Sequence, residues 1–219
     1  MWRRTIGVGL LILAVSSAAL AADGGKVESI GAFADQSAPE SVRKALASTG
    51  YRVVLADGNV ACEVWFRATV STGKTDASGA VYTMLPEGAL IGLITFPKAT
   101  NDFRGQAIKA GTYTLRYEVH PADGNHMGIS PIRDFLLLVP VAADPNPDAT
   151  FKFEELVKLS AKASGTNHPA ALSLVSPEAG AATTSVTTNE HNHTIFAAKI
   201  KTASGEIPIA FIVKGIAEQ

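Results

Sequence analysis

The chain has 219 residues, with 19 Lys and Arg against 20 Asp and Glu, a formal net charge of −1 and one cysteine. A near-neutral balance without a long basic block excludes the concentrated cationic face that displaces phosphate counterions, so nucleic acid is not an expected partner. A single cysteine excludes an intrachain disulfide, and stability has to come from packing and sheet hydrogen bonds.

Residues 1–21 read as a secretory signal peptide. Arg3 and Arg4 supply the basic start, 6–15 the apolar run, and Ala19, Leu20 and Ala21 the small-residue site that a signal peptidase recognises. The apolar run is shorter than the roughly 20 residues of a membrane span. Cleavage after Ala21 would leave 22–219, read as a single β-sandwich domain with a C-terminal hairpin and no transmembrane span, exported to the periplasm or the extracellular space. Loss of Arg3 and Arg4 moves the charge to about −3.

A strand is expected over 27–30. From Pro39 the pattern turns helical: Ser37 can cap, and Val42, Ala45 and Leu46 fall at i, i+3 and i+4 before Gly50. Strands over 51–56 and 60–68 flank Asp57-Gly58-Asn59, a hairpin turn whose Asp-Gly pair tolerates positive φ. Cys62 lies in the second of these strands and reads as a small buried apolar group. A small, polar loop over 71–78 precedes strands at 80–85 and 89–96. Over 112–119, Tyr113, Leu115, Tyr117 and Val119 alternate with Thr112, Thr114, Arg116 and Glu118, which predicts one dry face and one wet face. The run 135–141 is apolar on both faces and belongs centrally in the sheet or under a covering element.

Residues 144–148, with Pro145 and Pro147, read as a linker. A second short helix carries Phe153, Leu156, Val157 and Ser160 and stops near Gly165. A strand over 170–175 and a low-information connector over 177–188 follow. The end is a hairpin, 194–200 and 207–213, turning at Ser204-Gly205, with Pro208 marking an edge strand because it has no N–H for a ladder. Many short strands and two short helices predict a mainly β chain, an antiparallel β-sandwich that is Ig-like or jelly-roll-like.

The loop 120–134 concentrates polar and titratable residues between the two most regular strands, where binding sites on rigid scaffolds are usually built. Its His120, Asn125, His126, Arg133 and Asp134, joined by His168, form the expected ligand-binding set. The ordinary alternative is a connection in which Asp134 pairs with Arg133 or Arg104. His191 and His193 share a strand face about 7 Å apart. With His126 and the thioether of Met127 they suggest a copper or zinc site, against the alternative of two solvated turn histidines. Ser130, His126 and Asp134 have the residue types of a hydrolytic triad but lack a Gly-x-Ser-x-Gly elbow. Asn192-His193-Thr194 matches a glycosylation acceptor.

Arg104-Gly105-Gln106, Lys109 to Leu115, Asp123 to Gly128, Arg133-Asp134-Phe135 and Asn167-His168-Pro169 together resemble uncharacterised secreted bacterial proteins of unknown function, over about 90–175. The resemblance implies a bacterial envelope setting and supplies no catalytic residue. The expectation is a non-catalytic sandwich that binds a small ligand or an envelope protein through 120–134, with no resident cofactor. The alternatives are a periplasmic copper- or zinc-binding protein and, third, a hydrolase.

Overall fold

The computed structural model describes residues 25–75, 77–121, 130–177 and 184–217. In chain order they form β1 (Gly25–Ile30), α1 (Glu40–Ala45), β2 (Gly50–Leu55), β3 (Val60–Phe66), β4 (Leu90–Phe96), β5 (Thr100–Asn101), β6 (Ala107–Ile108), β7 (Gly111–Val119) and β8 (Asp134–Pro140). A 3-10 turn at Val141–Ala143, α2 (Phe153–Ser164), β9 (Ala171–Ser173), β10 (Ser185–Thr188), β11 (Thr194–Thr202) and β12 (Gly205–Lys214) complete them. His126, Asn125 and Met127 lie outside the described residues, as does the leader. No helix among the described residues is long and apolar enough to cross a membrane.

The expected mainly β antiparallel sandwich is what the chain forms. Seven strands run as a meander, in the order β1-β2-β3-β4-β7-β8-β9, and β10-β11-β12 make a smaller facing sheet. Alternation decides which side chains meet between them: Phe196, Ala198 and Ile200 of β11 are buried, while Lys199 and Lys201 are exposed. They join Val64, Leu115, Tyr117 and Leu138 of the large sheet in one core. Phe66 and Phe196 stack across the gap with ring centroids 6.3 Å apart. Two bridges tie the sheets at their margins, Val70 to Thr202 and Leu174 to Phe211. Pro208 does lie on an edge strand of its sheet, opposite Lys199.

Cys62 is wholly buried in this core, and burial, with the Glu63 charge next in effect, pushes its thiol pKa up. The thiol therefore stays neutral and packs as a small hydrophobe, as its neighbours in the sequence implied.

Several elements depart from the alternation pattern. The side of β7 expected to be wet is dry: Thr114, Arg116 and Glu118 are only 0, 1 and 2% exposed. They are covered because α2 packs Leu156 onto Phe135, Leu137 and Val139 of the neighbouring β8, and because residues 144–151 cross β7 as a strap. That strap replaces the expected linker. Arg116 fixes it with all five of its N–H donors: Nε and Nη2 bond the two Asp144 oxygens at 2.8 and 2.7 Å, Nη2 also the Asn146 carbonyl, and Nη1 the Gly88 and Ala149 carbonyls. The Phe151 ring closes over the guanidinium at 5.0 Å. Arg67 adds bonds to the Pro147 carbonyl and to Asp148.

Residues 80–85 form turns rather than a strand. Their backbone donors are taken by a side chain: the N–H groups of Val81 and Tyr82 bond the Asp134 carboxylate, each at 2.9 Å. The expected connector 177–188 contains β10, whose Ser185-Val186-Thr187-Thr188 pairs with β11. Lacking a long apolar side chain besides Val186, this strand carries a weak pattern.

Candidate functional site

The covered face of β7 and β8 continues past the end of α2 into a cavity of about 240 Å³. Among the described residues its lining comes from five places in the chain: Arg104, His120, Phe135, Phe153 with Val157, and Asn167 to Pro169 with Ala171. The floor is apolar. Phe135 is 3% exposed, and the His120 ring lies parallel to it, with centroids 4.0 Å apart and planes 15° apart.

Local sequence chemistry positions each wall. His120 follows β7 and is fixed at its backbone: its N–H bonds the Arg133 carbonyl at 2.8 Å, and Arg133 Nε bonds its carbonyl at 2.9 Å. Arg133 Nη2 donates to the same oxygen and Nη1 to the Ser78 carbonyl. Helix α2 begins where Glu155 accepts the Lys152 N–H at 3.1 Å and ends at Gly165, whose φ of +72° suits a glycine. The chain then reverses. Ser164 Oγ donates to the His168 carbonyl at 2.6 Å, and Gln106 Nε2 to the Pro169 carbonyl at 2.8 Å, so the backbone under the exposed Asn167 and His168 side chains is anchored.

Arg104 comes from the turn between β5 and β6. Asp102, 1% exposed, organises this turn: Oδ1 accepts the N–H groups of Arg104 and Gln106 at 3.0 and 2.9 Å, and Gly105 provides the positive φ of +82°. Asp102 Oδ2 then receives Arg104 Nε and Nη2 at 3.3 and 2.8 Å, and Nη2 also reaches the Pro169 carbonyl at 2.7 Å. The guanidinium is therefore held on one edge, with its Nη1 donors unspent among these bonds.

Of the residues expected to bind a ligand, the structure thus brings His120 and His168 together. Arg133 stands behind His120 as a backbone clasp. Asp134, although part of the expected set, is wholly buried and faces the opposite side of the sheet. Tyr117 Oη donates to its Oδ1 at 2.7 Å, in addition to the two N–H groups from 81–82. Neither alternative partner, Arg133 or Arg104, is the one that satisfies it. Arg104, Asn167 and Phe135 were absent from the expected set. The Asp102-Phe103-Arg104-Gly105 turn sequence was a legible signal for a positioned Arg104.

Glu118 lies next to this floor, paired across the ladder with Phe135. Burial, then the Glu87 charge, then that of Glu154, push its pKa up to about 8, against the pull of the Val119 and Gly88 N–H groups. Between the ordinary value of 4.5 and about 8 the folded chain binds a proton that the unfolded chain has released. Glu118 therefore disfavours folding increasingly as pH rises through that window. Glu118→Gln is expected to raise stability above pH 8 by roughly a few kcal/mol, with little change near pH 4.5. Urea unfolding of both chains between pH 4 and 9 reads this out, and parallel pH profiles would refute it.

His191 and His193 lie near each other, with ring centroids 5.8 Å apart, on a second cavity of about 310 Å³. His193 is 6% exposed, and Nε2 lies 3.1 Å from the Ile216 carbonyl, which can only accept. Nε2 therefore carries the proton, and Nδ1 faces the Asn189 amide nitrogen at 3.4 Å. A copper or zinc ion bound through His193 would have to displace one of these partners. Among the described residues no three His, Cys, Asp or Glu side chains gather as a metal site. Ser130 also lines this cavity, and its Oγ is buried without a hydrogen-bond partner. The triad idea meets Asp134 already committed to Tyr117 and two N–H groups.

No protein-family model, no curated protein and no solved structure matches this chain.

Proposed function

We propose that this is an exported, non-catalytic β-sandwich protein that binds a small organic ligand in the cavity between His120 and His168. The observation that carries the reading is convergence. Arg104, His120 and Asn167-His168, from three separate loops, stand round one apolar floor made by Phe135, Phe153 and Val157. An apolar cavity with a few converging polar groups is what a binding site requires, and residues distant along a chain seldom gather in this way without a use. The leader 1–21 and the resemblance to secreted bacterial proteins support export.

A fragment screen followed by backbone amide NMR of the full mature chain tests the binding. Hits are expected to concentrate their shifts on residues 104, 120, 135, 153 and 167–171. His168→Ala, at an exposed position, is expected to weaken them several-fold while moving the melting temperature little. Shifts scattered over the surface, or hits indifferent to His168, would reject the cavity. Recovery of the native protein from the envelope fraction with Ala22 as its first residue tests export.

A further inference from the structure

The cavity's walls say more about its occupant than that it is small. We infer that the site selects a single-ring carboxylic acid, its carboxylate on Arg104 and its ring against Phe153 and Val157. This rests on the binding reading above.

Three observations converge on that chemistry. The first is the state of Arg104. Its Nε and Nη2 are engaged by Asp102 Oδ2 and the Pro169 carbonyl, while Nη1 keeps two N–H donors without a partner among the described residues. A guanidinium fixed on one edge loses little side-chain freedom when an oxyanion arrives on the other, and a hydrogen bond between charged groups is among the stronger kinds. Asp102 offers no competing oxygen, since both already accept two donors.

The second is the sign of the lining. Arg104, His120, Asn167 and His168 can all donate, and no carboxylate side chain is among the described lining residues. The carboxyl paired behind Phe135, Glu118, holds its proton up to about pH 8, so it does not repel an anion at neutral pH. The third is shape. The His120 ring already covers Phe135, so the apolar surface open to a ligand is that of the half-buried Phe153 and Val157, of which Phe153 offers a flat ring. A volume of about 240 Å³ lies below the range of drug-sized sites, which limits the occupant to a compact molecule.

The test compares benzoate, benzyl alcohol and benzylamine, which share a ring and differ in the head group, on the full mature chain by amide NMR titration. Benzoate is expected to bind at least about tenfold more tightly than benzyl alcohol, and benzylamine more weakly than either. Arg104→Gln is expected to bring benzoate down to the level that benzyl alcohol shows in the same variant, with the shifts of both probes still in the cavity. Equal binding of benzoate and benzyl alcohol by the unaltered chain, with shifts in the cavity, would overturn the carboxylate assignment while the binding reading stands. Full benzoate affinity in a folded Arg104→Gln chain would overturn it too. Shifts outside the cavity for all three probes would remove both readings.

Discussion

Replacing Arg116 by alanine is expected to lower the unfolding free energy by about 3–5 kcal/mol, read from urea denaturation with the slope unchanged. The loss follows from what remains behind. Asp144 is 0% exposed and would be left with only Thr114 Oγ1, at 2.7 Å, to bond its carboxyl. The Gly88, Asn146 and Ala149 carbonyls would each lose an N–H. A domain of this size holds only about 5–15 kcal/mol in all, so the variant is expected to be close to unfolding at room temperature. Arg116→Lys is not conservative here, because an ammonium with three donors cannot replace a planar fork that spends five. By contrast, the double variant Arg116→Met with Asp144→Leu is expected to be less damaged than Arg116→Ala, since no buried charge is stranded. A loss below about 1 kcal/mol in Arg116→Ala would mean that the strap is held by something other than this pair.

The strap connects stability to the site. Residues 144–151 lead directly into α2, and the helix supplies Phe153 and Val157 to the cavity. Arg116 lies four positions before His120 on the same side of the strand, so the group that fixes the strap and the ring that floors the cavity share one sheet face. Loosening the strap is expected to loosen the cavity wall as well.

How much of this was legible depended on the range of the interaction. Tyr113, Leu115 and Tyr117 faced the core as their spacing required, because a two-residue period acts between neighbours. Thr114, Arg116 and Glu118 have the same spacing but the opposite chemistry, and polar type implied water. What covers them is a helix and a strap from later in the chain, and the Arg116–Asp144 pair that makes burial tolerable spans residues that local pattern cannot connect. The turns at 80–85 were hidden for the same reason: the apolar run is strand-like, but Asp134 takes its N–H groups. In the site, His120 and His168 stood out as chemically special types in loops. For Arg104 the turn sequence signalled a positioned side chain but not its direction, which depends on the buried Asp102 and on a carbonyl beyond α2.

Asp134→Ala provides the second large effect, and it separates a scaffold role from a ligand role. Three donors would lose their acceptor at once: the Val81 and Tyr82 N–H groups and the Tyr117 hydroxyl. Each buried unpaired donor costs about 1–3 kcal/mol, so a loss of about 3–5 kcal/mol is expected. Tyr117→Phe, which removes a single bond from the same oxygen, is expected to cost about 1 kcal/mol. The damage is expected to reach the other sheet as well, because the Tyr82 hydroxyl bonds the Val175 carbonyl at 2.8 Å and the Ala210 N–H at 3.1 Å, so 81–82 is a cross-piece between the layers. If Asp134 holds the scaffold, the fraction of Asp134→Ala that stays folded should bind benzoate with the affinity of the unaltered chain. A variant that keeps its melting temperature but loses the ligand would instead place Asp134 at the binding surface, and the buried triplet of bonds would not describe the protein in solution.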